Sequence, residues 1–270
     1  MCELFAMSSR DPANLRFSLE AFSRRGGLGG ANKDGWGIAW YVDEDVRLVK
    51  EPEPAAESAC VRFIQDHPFA ATIALSHIRK ATQGRSVMKN CQPFVRELGG
   101  RTHVFAHNGN LDIAALRARM SLEVFHPVGE TDSEYAFCAL LERLRAVWRD
   151  GAIPGLDARR GIVERFAAEI RPLGPANFIY SDGDAVFMHG HRRMHAGHRE
   201  PMPPGLYQLC RRCAAQSDLA GVHAEGLTIS ASGGGVQEVV LAASVPLTDE
   251  PGWRALAEGE LVVARLGRIA

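Results

Sequence analysis

Long apolar runs are missing from this 270-residue chain. No stretch of about 18 consecutive apolar residues occurs, so the sequence offers no membrane-spanning helix. An excess of charge of one sign is missing too. Thirty-one Lys and Arg oppose 32 Asp and Glu, for a net charge of -1. The basic residues are scattered, which removes the electrostatic case for a nucleic-acid groove. Cysteines are few, six in all, and too thinly spread to make a disulfide framework. Between Met1 and Pro12 there is no basic segment followed by an apolar stretch, so no signal peptide is read. The expected compartment is therefore the cytoplasm, where thiols stay reduced. Internal repeats and low-complexity segments are absent. The glycine run Gly26–Gly30 lacks the Gly-Lys-Ser/Thr of a phosphate loop and follows an apparent helix, so it reads as a flexible lid over a site. What remains is a composition of 46% hydrophobic and 23% charged residues, ample for a core. With no convincing linker, a single domain over 1–270 is expected.

Periodicity divides the chain into three stretches. Cys2–Met7 reads as a short buried strand. Leu15–Arg24 has helical spacing and ends at the stop signal Gly26-Gly27. Asp34–Val42 reads as a strand with Val46–Val49 as its hairpin partner, and Glu57–Gln65 as a helix. Thr72–Ile78 and Thr102–His107 are strands that end at polar clusters. Two long helices follow, Asp132–Trp148 and Asp157–Ile170. In the first, Phe137, Leu141, Leu144 and Trp148 repeat on one apolar face. The remainder reads as strands: Asn177–Tyr180, Ala185–His189, Leu206–Leu209, Leu227–Ser230, Glu238–Ser244 and Glu260–Arg265, with Ser-Asp-Gly at 181–183 as one of the turns. Strands, then helices, then strands predict a layered α/β (α+β) protein with mostly antiparallel sheets.

Cys2 stands directly behind the initiator Met1. Bacterial-type processing removes Met before a small residue, which would leave a chain that begins with a thiol and a free α-amine on one residue. An α-amine titrates at about 7.7–8.0, so near neutrality it can take the thiol proton, directly or through water. A thiol activated in this way attacks carbonyls. The alternative is an incidental cysteine.

Three polar clusters lie at strand ends or helix starts, where catalytic groups are commonly placed. They are His77-Ile78-Arg79-Lys80-Ala81-Thr82, Ala106-His107-Asn108-Gly109-Asn110 and Gly129-Glu130-Thr131-Asp132-Ser133-Glu134. Arg79 offers a planar fork for a carboxylate. The Asn108 amide and the Gly109 N–H can hold an oxyanion. Asp132 can bind an ammonium group. Each also has an ordinary reading: a surface ion pair for Arg79, a turn for Asn108-Gly109, an N-cap for 131–134. Together with Cys2 they outline a site for a ligand with a carboxylate, an ammonium and an amide carbonyl, a description that L-glutamine fits.

In the order Met1-Cys2, Arg25-Gly26 with Asp34-Gly35-Trp36-Gly37, His77 to Thr82, His107-Asn108-Gly109, and Glu130 to Glu134, the chain resembles the class II glutamine amidotransferases. It is most similar to the stand-alone YafJ-type branch, which lacks an attached synthase domain. The late Pro246-Leu247-Thr248 adds to that likeness. The resemblance implies an N-terminal-nucleophile hydrolase fold, a four-layer αββα sandwich of two mostly antiparallel sheets. It implies Cys2 as nucleophile and Asn108 with Gly109 as the oxyanion hole. Arg79, assisted by Thr82, would bind the α-carboxylate of the substrate, and Asp132 its α-amine. No cofactor is implied. The substrate would be glutamine or another γ-glutamyl amide, with a synthase partner as one candidate acceptor of the ammonia. Two departures stand out: the Gly-rich Gly27–Lys33 is expanded, and Gln83 occupies a position where synthase-linked members often carry His.

Other readings remain. An N-terminal-cysteine acylase of the bile-salt or penicillin type would need neither Arg79 nor Asp132. A non-catalytic γ-glutamyl-binding protein would not require removal of Met1. Cys210-Arg211-Arg212-Cys213, downstream of His189, His191, His195 and His198, has zinc-like spacing. Only one such pair exists and the histidines sit among arginines, so a solvated loop without metal is expected. Cys138 is expected to fill core space, and Cys60 and Cys91 carry no partner signal.

Overall fold

The computed structural model describes residues 2–17, 33–67, 69–149, 151–195, 197–213, 222–224, 227–231, 237–249 and 251–270. In chain order the elements are β1 (Glu3–Phe17), β2 (Trp36–Val42), β3 (Asp45–Glu51), α1 (Ala59–Asp66), β4 (Phe69–Ile78), β5 (Phe94–Leu98), β6 (Arg101–Gly109), α2 (Ile113–Arg119), α3 (Asp132–Leu144), α4 (Leu156–Ile170), β7 (Ala176–Ser181), β8 (Val186–His189), β9 (Tyr207–Cys213), β10 (Val222–Ala224), β11 (Leu227–Ala231), β12 (Gln237–Ala243), β13 (Arg254–Ala255), β14 (Leu261–Arg265) and β15 (Arg268–Ile269). The first sheet runs β13-β9-β12-β1-β4-β2-β3, with β11 also on β1 and β10 on β11. The second runs β15-β14-β8-β7-β6-β5. Every described strand pair is antiparallel.

Strand alternation sorts the core into three interfaces, and three interfaces separate four layers. Successive side chains of a strand point to opposite faces. Leu4 and Ala6 of β1 and Ile73 and Leu75 of β4 meet Val104 and Ala106 of β6 and Ile179 of β7 between the sheets. On the outer face of the first sheet, Phe5, Met7 and Trp40 pack with Val61 and Ile64 of α1. On the outer face of the second, Phe105 and Phe178 pack with Phe137 and Leu141 of α3 and Phe166 of α4. The order is therefore helix, sheet, sheet, helices, the αββα architecture expected above.

Three expectations need correction. β1 continues to Phe17, so Leu15–Phe17 is extended where helical spacing predicted a helix. Backbone pairing of 15–17 with β4 and β11 overrides local propensity there. The rest of that expected helix, and the glycine run taken as a lid, lie outside the described residues. The helix α3 ends at Leu144, short of Trp148, although Trp148 stays buried against the His103 ring. Nor does α3 bury a single face: every residue from Asp132 to Leu141 is buried, because the sheet lies on one side and α2 and α4 on the other. The strand β5 and the helix α2 had no counterpart in the periodicity.

Candidate active site

The same alternation that builds the inter-sheet layer delivers the polar side chains to one end of it. Leu4 and Ala6 face the second sheet, so Cys2, two residues earlier, reaches the same layer where β1 begins. Asn108 follows Val104 and Ala106 on β6 and meets Cys2 from across the layer. Its Nδ2 donates to the Cys2 carbonyl at 2.7 Å and to Ser244 Oγ at 3.2 Å. Ser244 Oγ in turn accepts from the Leu4 N–H at 3.0 Å, and Arg193 donates to the Ser244 carbonyl. The Asn108 carbonyl accepts from Asn177 Nδ2 at 2.9 Å.

The thiol itself is held by main chain alone among the described contacts. Lys80 N–H donates to Cys2 Sγ at 3.2 Å, and the Lys80 carbonyl lies 3.3 Å from the sulfur. Cys2 is half-buried. Burial pushes its thiol above the ordinary range. The Lys80 peptide and the Arg79 charge pull it back down, and Asp132 adds to the rise.

Arg79 is buried, contrary to a surface ion pair. Its guanidinium donates to four carbonyls: Asp34 at 3.1 Å, Gln83 at 2.9 Å, Gly84 at 3.2 Å and Arg85 at 3.3 Å. It thus braces the turn 83–85. Asp34 clamps the same segment, accepting from Ala81 N–H at 2.8 Å and Ser86 Oγ at 3.0 Å. This explains Asp34-Gly35-Trp36-Gly37 locally. Gly35 has φ +119°, and a side chain on Gly37 would strike the Gln92 carbonyl at 2.3 Å. Gln92 Oε1 accepts from the His107 N–H at 2.6 Å, which ties this corner to β6.

Asp132 opens α3 and is buried. Its Oδ2 accepts from the Leu111 N–H at 2.7 Å. Thr131 is the N-cap, accepting from the Glu134 N–H at 3.2 Å. The capping reading of 131–134 is therefore correct for Thr131, while Asp132, one residue on, faces the cavity. A carboxylate in a first helical turn is also favoured by the helix dipole. Gln83 Nε2 donates to Asn110 Oδ1 at 2.7 Å and the Leu111 carbonyl at 3.0 Å, linking the 83–85 turn to the end of β6.

Cys2, Arg79, Lys80, Thr82, Gly109 and Asp132 line one cavity of about 20 Å³, together with Gln83, Gln92, His107, Thr131 and Ser133. That volume holds about one water. Five of the six expected site residues are therefore lining residues, and the sixth, Asn108, hydrogen-bonds the main chain of Cys2. Gly109 admits no side chain, since a Cβ would lie 1.8 Å from the Pro175 carbonyl. His107 completes the wall, with Nδ1 2.9 Å from Ser133 Oγ and Nε2 3.3 Å from the Pro175 carbonyl. Burial lowers its pKa, although Asp132 opposes the shift.

Sequence reasoning missed Ser244 and Asn177, which hold Asn108, and the Lys80 peptide, which holds the sulfur. Ser244 and Asn177 lie 136 and 69 residues from Asn108 and carry no local motif. The zinc-like pair carries no site among the described residues, which contain no cluster of three or more His, Cys, Asp or Glu able to hold a metal. Cys210 lies exposed on β9, and the Cys213 side chain is outside the described residues. No described helix is long and apolar enough to cross a membrane.

Residues 1–270 match the family model of class-II glutamine amidotransferases. The chain is 39% identical to YafJ of Escherichia coli (strain K12) over 198 residues, 72% of this chain and 75% of that one. The crystal structure of a predicted glutamine amidotransferase from Pseudomonas aeruginosa PA01 superposes with a TM-score of 0.74 at 30% identity, over 99% of this chain and 98% of that one. The glutamine phosphoribosylpyrophosphate amidotransferase of B. subtilis superposes with a TM-score of 0.57 at 14% identity, a likeness of fold alone. It covers 99% of this chain and 48% of that one.

Proposed function

This chain belongs to the class-II glutamine amidotransferases, and from that premise we propose that it hydrolyses the side-chain amide of glutamine or of a related γ-glutamyl amide through a thioester on Cys2. The observation that carries the reading is the cavity in which the Cys2 thiol meets a buried guanidinium, a buried carboxylate and the Gly109 main chain.

In this reading the free α-amine of processed Cys2 takes the thiol proton, and the sulfur attacks the amide carbon. The oxyanion rests on the Asn108 amide and the Gly109 N–H. Asn108 gives up one of its two present acceptors to do so. As the C–N bond breaks, the protonated α-amine returns its proton to the leaving nitrogen, releasing ammonia or an amine. Water, deprotonated by the same amine, then attacks the γ-glutamyl thioester to give glutamate and free Cys2. The substrate α-carboxylate pairs with Arg79 beside Thr82, and the α-ammonium with Asp132.

A cavity the size of one water excludes glutamine. Entry therefore requires the 82–86 segment to move, which also frees donors of Arg79 from the carbonyls of 83–85. The chain spans about half of the B. subtilis amidotransferase. A synthase partner that accepts the ammonia in the cytoplasm is part of the proposal.

The test is glutamate release from glutamine and a panel of γ-glutamyl amides, with intact mass confirming loss of Met1. Cys2→Ala should lower turnover at least about a thousandfold. Wild-type turnover in that variant, or in a chain that keeps Met1, overturns the mechanism.

A further inference from the structure

A second cavity lies apart from the active site. About 570 Å³ in volume, it lies against Arg171, Pro175, His191, Arg192 and Glu258, with Glu200 also on its wall. Its size falls within the usual range for small-molecule sites, about 300–1,000 Å³. Rings of Pro172, Pro175 and Pro201 stiffen it, since proline has one backbone torsion fixed.

We propose that this cavity binds a small molecule through a carboxylate or phosphate group, held by Arg171 and Arg192. The charges around the cavity carry the argument. Glu258 is already committed: it accepts from Arg192 Nε at 2.6 Å and lies 3.5 Å from His191 Nε2. That bond uses one edge of the Arg192 fork and leaves its terminal amines open. Arg171 has no carboxylate within salt-bridge distance among the described residues. The one described hydrogen bond of its guanidinium goes from NH1 to the Gly259 carbonyl at 3.0 Å. A half-buried guanidinium at a cavity wall, with most of its donors uncommitted, is a fork matched to a two-oxygen anion. His191 is 7% exposed and adds a ring to the same wall. Glu200 is exposed and draws no described cation to itself.

Pro175, on the wall of this cavity, also contacts His107 of the active site. The Pro175 carbonyl accepts from Asn110 N–H at 3.2 Å and lies 3.3 Å from His107 Nε2. Asn177 joins the two from within the sheet. It donates to the carbonyls of Asn108 and Arg192, at 2.9 and 2.7 Å, and accepts from the His191 N–H at 2.7 Å. The anion site thus stands directly behind the strand that carries Asn108 and Gly109.

Calorimetric titration of the full-length protein with inorganic phosphate, and separately with malonate, tests the inference and names the anion class. Saturable binding with a millimolar or tighter Kd is expected for one of the two. Arg171→Met, which keeps an unbranched side chain and removes only the charged fork, and Arg192→Met, at a half-exposed side chain, should each weaken it at least about tenfold, with urea denaturation confirming that both variants fold. Absence of saturable binding, or equal affinity in wild type and both variants, overturns the assignment.

Discussion

The two sheets hold their halves of the active site in different ways. On the first sheet the Cys2 sulfur is bracketed by the main chain of a single residue, Lys80, and nearby Thr82 is exposed. On the second, Asn108 is almost wholly buried and hydrogen-bonded through its amide and its carbonyl to Cys2, Ser244 and Asn177. In the proposed reaction the attacking group is thus the lightly held one and the receiving group the rigid one. This division suits a reaction in which the nucleophile must close on a carbon, while the oxyanion donors gain most from being fixed in advance.

The comparison is broken most directly at Asn108. Asn108→Ala should lower kcat by about 10²–10³, with a smaller change in KM, because it removes an oxyanion donor worth about 2.7–4 kcal/mol. Steady-state kinetics on glutamine decides it, and an unchanged kcat would return the rigid half to a purely structural role.

Acid should destabilise the protein through histidines buried on both sheets. Burial lowers the pKa of His77 on the first sheet to about 3, and those of His103 and His189 on the second to about 4 and about 3. All three are neutral when folded and take up protons on unfolding below about 6.5. Their stabilisation is complete above that pH and is lost as pH falls through the folded values, at up to about 1.4 kcal/mol per unit for each histidine. Denaturation in urea between pH 7 and 4 should show stability falling steadily. His103→Gln and His189→Gln should each flatten that slope, and a pH-independent stability would refute the assignment.

Asn177→Ala sharpens the contrast within the second sheet. It leaves the Asn108 and Arg192 carbonyls and the His191 N–H unpaired, at about 1–3 kcal/mol for each buried group. Lower stability together with a lower kcat is expected, read by urea denaturation and by turnover at saturating glutamine. Ser244→Ala should have a smaller effect, a few-fold in kcat, since Asn108 keeps its bond to Cys2, with a loss of about 1–3 kcal/mol in stability for the buried Leu4 N–H left without its acceptor. Thr82→Val, on the lightly held side, should move KM alone and by the least.

The site was legible because its residues sit in short, chemically marked clusters. His77 to Thr82, His107 to Gly109 and Thr131 to Asp132 each end a strand or open a helix, and strand parity then places them. Leu15–Phe17 was misread because helical spacing is a local signal, whereas the pairing of β1 with β4 and β11 is not. β5 and α2 are short and were silent for the same reason. Arg79 shows the limit within one cluster: residue type predicts an anion fork, yet the fork now grips the Asp34 carbonyl and three carbonyls of a turn whose shape no spacing encodes.

Sequence by itself determined which residues are candidates for the proposed chemistry and the alternating strands that bring them together, because both follow from side-chain type and a two-residue period. Tertiary structure alone decided what holds those residues. Ser244 and Asn177 reach Asn108 only after distant strands pair, and the cavity behind Pro175 exists only where residues near 171, 191 and 258 converge. Hydrogen bonds of this kind depend on distance in space, and one chain's order of residues does not contain that distance until the sheets have stacked.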